Sequence, residues 1–316
     1  MARSLLRTAL RGLSLAQVRH VTPVSFRQAG PEVLEVYREV EREFGVLAPP
    51  VVLHAAAPEV LRASWVMLRE IVLAPSLLDR GTKEAVAAAV SEANRCPYCV
   101  TVHTSTMAKF GGTTVDLADA GRFGADELPE ALGVATTLQY FNRMVSVFLT
   151  ERPMPPYAPK WLLGPVTGML TGLIAAAGAA PPGRNPLPEA PLPGELAWAA
   201  SSPHVANALA RAKAVFDAVE IPSAVRVLLA GELSTWDGKP KGLSRAWAWD
   251  AADRVGPGDR AAARLALLTA FAPYQVDDEV IGNVRADDTA LIGLTAWASM
   301  AAAVRATALA KSPAGS

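Results

Sequence analysis

The chain has 316 residues, and its 30 basic residues balance its 30 acidic ones, so the formal net charge is zero. A balanced charge excludes the strong basic footprint of a nucleic-acid-binding protein. Apolar residues make up 51% of the chain, enough for a sizeable core. Two cysteines in so long a chain exclude a secreted disulfide framework, which leaves catalysis or metal binding as roles for these thiols.

The first 27 residues contain five arginines and no acidic residue. Arg3, Arg7 and Arg11 recur at helical spacing beside leucines, which resembles a mitochondrial transit peptide or an amphipathic surface helix. The alternative, which we favour, is an arm that docks on the protein body or on a partner subunit. Residues 1–48 are therefore predicted to be an N-terminal arm with its first helix, in a cytoplasmic protein.

Residues 49–150 are predicted to form a helical unit. Three stretches, 58–72, 78–94 and 132–149, repeat apolar residues at helical spacing, and acidic residues at 126–127 precede the last of them. Alanine is abundant throughout the chain and alternation at period two is rare, which favours helix over strand. The prediction is an all-α fold.

Prolines crowd the chain at 153–159 and again at 181–193, so residues 151–194 are predicted to connect two halves. Between these groups, residues 161–183 carry no charge and are numerous enough to span a bilayer. The spacing of Gly164, Gly168 and Gly172 also suits close helix packing in a core or an interface, which we favour.

The second half, residues 195–316, repeats the order of the first. Ser202-Pro203 begins a helical stretch as Ala57-Pro58 does, and a long pattern at 291–309 follows acidic residues at 287–288. Weak identity in a constant order indicates an internal duplication. By that order the cysteines align with residues 235–240, which contain no cysteine, so the second copy is predicted to be degenerate.

Both cysteines and one histidine fall in a single stretch, Cys96-Pro97-Tyr98-Cys99-Val100-Thr101-Val102-His103. Pro97 is tolerated in the first turn of a helix, so one helix should end near Arg95 and another begin with Cys96 near its N-cap. Cys99 and His103 then lie on one helical face, at i and i+4. Glu84 reaches the same place if the two helices are antiparallel. Paired thiols beside a base are typical of a redox site.

The spacing of Glu84, Cys96, Cys99 and His103 resembles the active-site signature of the AhpD-like alkylhydroperoxidase and carboxymuconolactone decarboxylase family. The similarity is sharp over residues 78–112, looser over 49–150, and degenerate over 195–310. It implies an all-helical protein that usually oligomerises, without a cofactor. It also implies a thiol cycle that reduces peroxides at the expense of an external dithiol, which could be thioredoxin-like, lipoyl or of low molecular weight. The apolar composition favours organic hydroperoxides as the substrates. Tyr98 stands where some members have a histidine.

In that resemblance Cys99 matches the peroxidatic cysteine, Cys96 the resolving cysteine, and Glu84 with His103 the proton relay. The sequence does not decide which of the two thiols is more acidic, because a helix N-terminus favours a thiolate at Cys96 whereas a base at i+4 favours one at Cys99. We favour Cys99, since His103 also supplies the proton transfer that peroxide cleavage needs.

Other interpretations remain. The family name also covers decarboxylase-type ring opening, although the intact cysteine pair argues against it. A non-catalytic redox sensor or assembly protein would fit the degenerate second copy. A zinc ion on the same four residues has suitable ligand types but no second ligand pair. His54 and His204 lie near the starts of the repeats and are predicted to support the fold.

Overall fold

The computed structural model describes residues 2–116, 120–154 and 157–311. Over these ranges the chain is helical, with one isolated β-bridge between Val18 and Leu149. The helices are α1 Ala2–Leu15, α2 Pro31–Glu43, α3 Pro49–Val52, α4 Pro58–Met67, α5 Arg80–Ala93, α6 Pro97–Lys109, α7 Leu128–Phe148, α8 Leu163–Ala176, α9 Pro203–Asp217, α10 Ser223–Ser234, α11 Ala246–Ala252, α12 Arg260–Phe271, α13 Asp278–Asn283 and α14 Asp288–Lys311. The predicted all-α class is confirmed.

The two halves of the chain repeat one order of elements. α4 and α9 each begin with a proline after an N-cap of nearly the same backbone conformation, φ −124° and ψ 88° at Ala57 against φ −118° and ψ 90° at Ser202. α5 and α12 each precede a proline turn, and α7 and α14 are the long last helices of their units. Equivalent helices pack on each other, α4 on α9 and α7 on α14. The predicted duplication is confirmed, and the two copies meet within one chain.

The counterpart of the cysteine turn is not at residues 235–240, where the order of sequence patterns put it. Those residues follow α10, whereas the equivalent turn follows α12 as the 3₁₀ segment Pro273–Gln275. Ala272-Pro273-Tyr274-Gln275 thus corresponds to Cys96-Pro97-Tyr98-Cys99, with the proline and tyrosine retained and both thiols replaced. The prediction was wrong because α10 and α11 add helices to the second copy between its first helix and its turn.

The N-terminal arm docks on the protein body. The Arg11 guanidinium donates two hydrogen bonds to Glu41, at 2.6 and 2.7 Å. Further along, the Arg19 amide donates to the Phe148 carbonyl (2.8 Å) and the Thr150 amide to the Gln17 carbonyl (3.1 Å). These bonds fix the path of the arm across the end of α7. The side chains of Arg3 and Arg7 lie outside the described residues.

The connector contains α8, whose 14 residues at 1.5 Å each are too few to cross a bilayer. Pro155 and Pro156 lie outside the described residues. Among the described residues, Asp288–Ala310 of α14 is long and apolar enough to span a membrane by composition, but 72% of its apolar window is buried inside the protein. That burial is expected of a core helix.

α5 and α6 form a close antiparallel pair that carries the motif. Gly81 at the start of α5 meets Gly112 just beyond the end of α6, and a Cβ atom on Gly112 would lie 2.4 Å from the Gly81 carbonyl oxygen. Two glycines therefore allow the backbones to approach. This close approach places the part of α5 that lies three helical turns before the cysteines beside the part of α6 that lies two helical turns after the start of the motif.

Candidate active site

α5 ends in a Schellman motif that sets the turn before the cysteines. The Cys96 amide donates to the Ser91 carbonyl and the Arg95 amide to the Glu92 carbonyl, both at 3.0 Å. Arg95 has φ 54°, in the left-handed region where glycine is usual. α6 then begins at Pro97 with Cys96 as its N-cap residue. The predicted helix–turn–helix arrangement is confirmed.

Glu84 and His103 meet between the two helices. His103 Nδ1 lies 2.7 Å from Glu84 Oε2, and Arg80 Nε donates to Glu84 Oε1 at 2.7 Å. Glu84 is buried, and desolvation alone would raise its pKa, but the charges of Arg80 and His103 and their hydrogen bonds lower it overall. Glu84 is therefore an ionised carboxylate that holds the imidazole with Nδ1–H towards itself, which leaves Nε2 free to exchange a proton.

The two thiols are free, buried and hydrogen-bonded to each other. Cys96 is also hydrogen-bonded to Ser146, and Cys99 to Asn142, both on α7. The structure therefore gives each sulfur a polar partner in addition to the other thiol. A hydrogen bond to a thiolate stabilises its charge, so these two side chains support whichever sulfur is ionised.

The acidities of the thiols differ from the expectation that we favoured. The pKa of Cys96 is lowered, mainly by the hydrogen bond from Cys99, whereas burial and the negative charge of Cys96 raise the pKa of Cys99 well above its usual value. The backbone amides of Tyr98 and Cys99, at the N-terminus of α6, also lower the pKa of Cys96, by less. Because the pKa of Cys99 is raised, this thiol needs a base before it can act as a nucleophile.

The amide of Asn142, on α7, is a polar neighbour of the thiols. It lies at the site, where it accepts from Asn94 Nδ2 (2.9 Å) and donates to Ser91 Oγ (3.1 Å) while contacting Cys99. Its neighbour Arg143 faces the other copy and donates to the Ala270 carbonyl at 3.0 Å. Because Glu130, Thr136, Thr137 and Arg143 are also buried on α7, the sequence pattern does not single out Asn142.

A cavity of about 310 Å³ opens onto Cys96. Its walls come from the motif (Arg95, Cys96, Pro97 and Tyr98), from α7 (Ser146), from the N-terminal arm (Arg19 and His20) and from the second copy (Tyr274, Val276, Asp277 and Asp278). Cys99 does not line it.

A second cavity, of about 210 Å³ and almost wholly apolar, lies on the other side of Tyr98 among side chains of α1, α6 and α8. Tyr98 thus stands between a polar cavity and an apolar one.

Two predicted fold residues lie away from the thiols. His54 is fully buried, with Nδ1 at 3.0 Å from the Val51 carbonyl and Nε2 at 2.9 Å from the Tyr140 hydroxyl. Its role in the fold is confirmed. His204 lies 3.6 Å from Glu130, at the junction of the two copies. Within the described ranges, no three His, Cys, Asp or Glu side chains are grouped so as to hold a metal ion.

An all-α duplicated fold with paired thiols and a carboxylate–imidazole pair defines the class of this protein as AhpD-like. The pattern of the carboxymuconolactone decarboxylase family matches residues 58–149. The chain is also 33% identical over 322 residues to the alkyl hydroperoxide reductase Rv2159c of Mycobacterium tuberculosis, an alignment that covers 91% of this chain and 93% of that protein. The chain therefore belongs to the carboxymuconolactone decarboxylase family of enzymes and is one of its AhpD-like members.

Proposed function

We propose that the protein is a thiol-dependent peroxidase that reduces organic hydroperoxides through Cys99 and Cys96. The observation that carries the proposal is the Glu84–His103 pair at 2.7 Å, one helical turn from a buried thiol that needs a base. A carboxylate that fixes an imidazole beside a cysteine is an arrangement that activates a nucleophile. The relative named as an alkyl hydroperoxide reductase supports the same substrate class.

In the first step His103 Nε2 takes the proton of Cys99, and the resulting thiolate attacks the terminal oxygen of the hydroperoxide. The O–O bond breaks, Cys99 becomes a sulfenic acid, and the alkoxide leaves with a proton from His103 as an alcohol. Glu84 stabilises the imidazolium that exists between the two proton transfers. The sulfur is oxidised by two electrons and the peroxide is reduced by two.

In the second step Cys96 attacks the sulfenic sulfur of Cys99. A disulfide forms and hydroxide leaves, which takes the proton that the Cys96 thiol gave up and becomes water. The low pKa of Cys96 suits this step, because the thiolate is the attacking form. An external thiol reductant then restores both cysteines by exchange. We place this cycle in the cytoplasm and in a homo-oligomer whose subunits each contain one working site.

The test is stopped-flow oxidation of the reduced protein by cumene hydroperoxide, with sulfenate followed in wild type, Cys99→Ser and Cys96→Ser. We expect fast oxidation that is lost in Cys99→Ser, and a persistent sulfenate in Cys96→Ser. Loss of the fast phase only in Cys96→Ser would exchange the two cysteine roles. Equally slow oxidation in all three proteins would reject the peroxidase and favour a decarboxylase-type or redox-sensing protein.

A further inference from the structure

The cavity beside Cys96 is built by three separate parts of the chain. The cysteine turn supplies one wall, and the degenerate counterpart of that turn supplies the facing one through Tyr274, Asp277 and Asp278. The N-terminal arm closes the space with Arg19 and His20, at the point where its backbone pairs with the end of α7. Neither the arm nor the second copy lies within residues 58–149, the part that the family pattern covers. This cavity is therefore a feature of the whole chain.

Backbone strain concentrates at this cavity. Among the described residues, the non-glycine positions with positive φ are His20, at 67°, and Arg95, at 54°, and both line it. A left-handed conformation costs a non-glycine residue on the order of 1 kcal/mol or more and clusters at functional sites. Glycine would remove that cost at either position. Both positions instead carry a basic side chain at the cavity.

His20 has the geometry of an oriented base. Its side chain is only 5% exposed, its Nδ1 lies 3.1 Å from Asp278 Oδ1, and its Nε2 has no hydrogen-bond partner among the described residues. The carboxylate selects the tautomer with hydrogen on Nδ1, so Nε2 carries the lone pair. Desolvation and the charge of Arg19 lower the pKa of His20 more than Asp277 and Asp278 raise it. A neutral imidazole with an unpaired buried nitrogen is poised to accept a proton.

We infer that this cavity is the site of the thiol reductant, and that His20, oriented by Asp278, is the base that deprotonates the reductant for attack on Sγ of Cys96. The inference rests on the disulfide cycle proposed above and concerns its reductive half. Of the two cysteines, Cys96 lines the cavity and Cys99 does not. The proposal therefore takes Cys96 as the cysteine that the reductant attacks.

The reductant S–H gives its proton to His20 Nε2, and its sulfur attacks Sγ of Cys96. The Cys96–Cys99 bond breaks, and its electron pair leaves on Cys99 as a thiolate. A second thiol then attacks the reductant sulfur of the mixed disulfide, and its proton restores the Cys99 thiol through solvent and His103. Cys96 leaves as a thiolate and takes the proton held by His20. The protein disulfide gains two electrons, and two thiols become one disulfide.

The walls also indicate the class of reductant. A volume of about 310 Å³ suits a small molecule rather than a folded protein. Arg19 and Arg95 line the cavity together with Glu151, Asp277 and Asp278, so its walls offer partners for groups of both signs. A low-molecular-weight thiol derived from an amino acid, with both an ammonium and a carboxylate group, matches that lining. Glutathione is a convenient probe of this class.

The experiment uses protein whose disulfide is made with diamide, so that its result does not depend on peroxide turnover. Reduction is followed in a single turnover with two small thiols, 2-mercaptoethanol, which is almost wholly protonated at neutral pH, and the more acidic trifluoroethanethiol, of which a substantial fraction is already ionised there. We expect His20→Asn to slow disulfide reduction by 2-mercaptoethanol by roughly 10²-fold and to leave reduction by trifluoroethanethiol near the wild-type rate. Asparagine is the substitution because it tolerates the left-handed backbone conformation of residue 20. His204→Gln is the matched control. Equal slowing with both thiols, or no slowing, would overturn the role of His20.

A second measurement uses the wild type alone. Glutathione is added to the diamide-oxidised protein, the mixture is quenched by alkylation, and the position of the glutathione adduct is mapped by mass spectrometry. We expect the adduct on Cys96 and the alkyl group on Cys99. An adduct on Cys99, or reduction by thioredoxin that is far faster than by glutathione and indifferent to His20→Asn, would overturn the proposed site. A failed peroxidase assay beside a positive result here would reject only the oxidative half.

Discussion

His103 Nδ1 and Glu84 Oε2 lie 2.7 Å apart although the two residues are 19 positions apart in the chain. The contact exists because α5 and α6 run antiparallel from the cysteine turn. Arg80 binds the other oxygen of the same carboxylate at 2.7 Å. The imidazole is therefore held by a buried anion that a neighbouring cation keeps ionised, which is what a proton relay requires.

Replacing Glu84 by glutamine should slow sulfenate formation by roughly 10²-fold, because the amide keeps the shape but does not stabilise an imidazolium at His103. The measurement is the stopped-flow rate with cumene hydroperoxide. Glu92→Gln is the control, since Glu92 is an exposed residue of the same helix. A wild-type rate in Glu84→Gln would remove the carboxylate from the mechanism.

The lowered pKa of Cys96 gives a second prediction. Iodoacetamide reacts with the thiolate, so as the pH rises between about 6 and 10 it should label Cys96 before Cys99. Cys99→Ala removes the hydrogen bond that stabilises the Cys96 thiolate and should move its labelling curve to higher pH. Peptide mass mapping at each pH distinguishes the two sulfurs. Labelling of Cys99 first would reverse the acidities described here.

The sequence could predict the turn that holds the thiols because its causes are local. Pro97 restricts the helix start, and Cys96 and Cys99 follow from the position of that start. Glu84 and His103 could be paired because a tight turn leaves antiparallel packing as the simplest arrangement. These contacts need only about twenty consecutive residues.

The polar partners of the thiols could not be predicted in the same way. Asn142 and Ser146 come from α7, a helix buried on most of its circumference, so its pattern does not show which side faces the motif. His20 and Asp278 meet only because the arm and the second copy converge on one cavity. The degenerate turn was misplaced for a related reason, since the inserted helices α10 and α11 are visible only in the fold.

A buried charge network fixes the connector. Arg69 Nε donates to Glu43 Oε2 at 2.8 Å, the same guanidinium contacts Glu70, and it also donates to the Pro181 carbonyl at 3.3 Å. Arg69→Met would leave the buried carboxylate of Glu70 without its cation and Glu43 with only the exposed Arg42, which should cost roughly 3–5 kcal/mol of unfolding free energy.

Urea unfolding at neutral pH measures that cost, and Arg42→Met is its control. Arg42 binds Glu43 Oε1 at 3.1 Å, but its side chain is 54% exposed. Exposed ion pairs contribute about 1 kcal/mol or less, so this variant should remain close to wild type. Equal losses of unfolding free energy in the two variants would show that burial does not determine how much these ion pairs stabilise the protein.

His54 makes stability depend on pH. Full burial lowers its pKa to about 3, so the folded protein keeps it neutral while the unfolded chain takes up a proton below about pH 6.5. The stabilisation is complete above that pH and is lost as the pH falls towards 3, by about 1.4 kcal/mol per pH unit. His54→Gln cannot titrate, and its amide can replace part of the bonding to Val51 and Tyr140. Between about pH 7 and 4.5 the unfolding free energy of His54→Gln should therefore fall less steeply than that of wild type. Parallel slopes in urea unfolding would mean that another group accounts for the acid sensitivity.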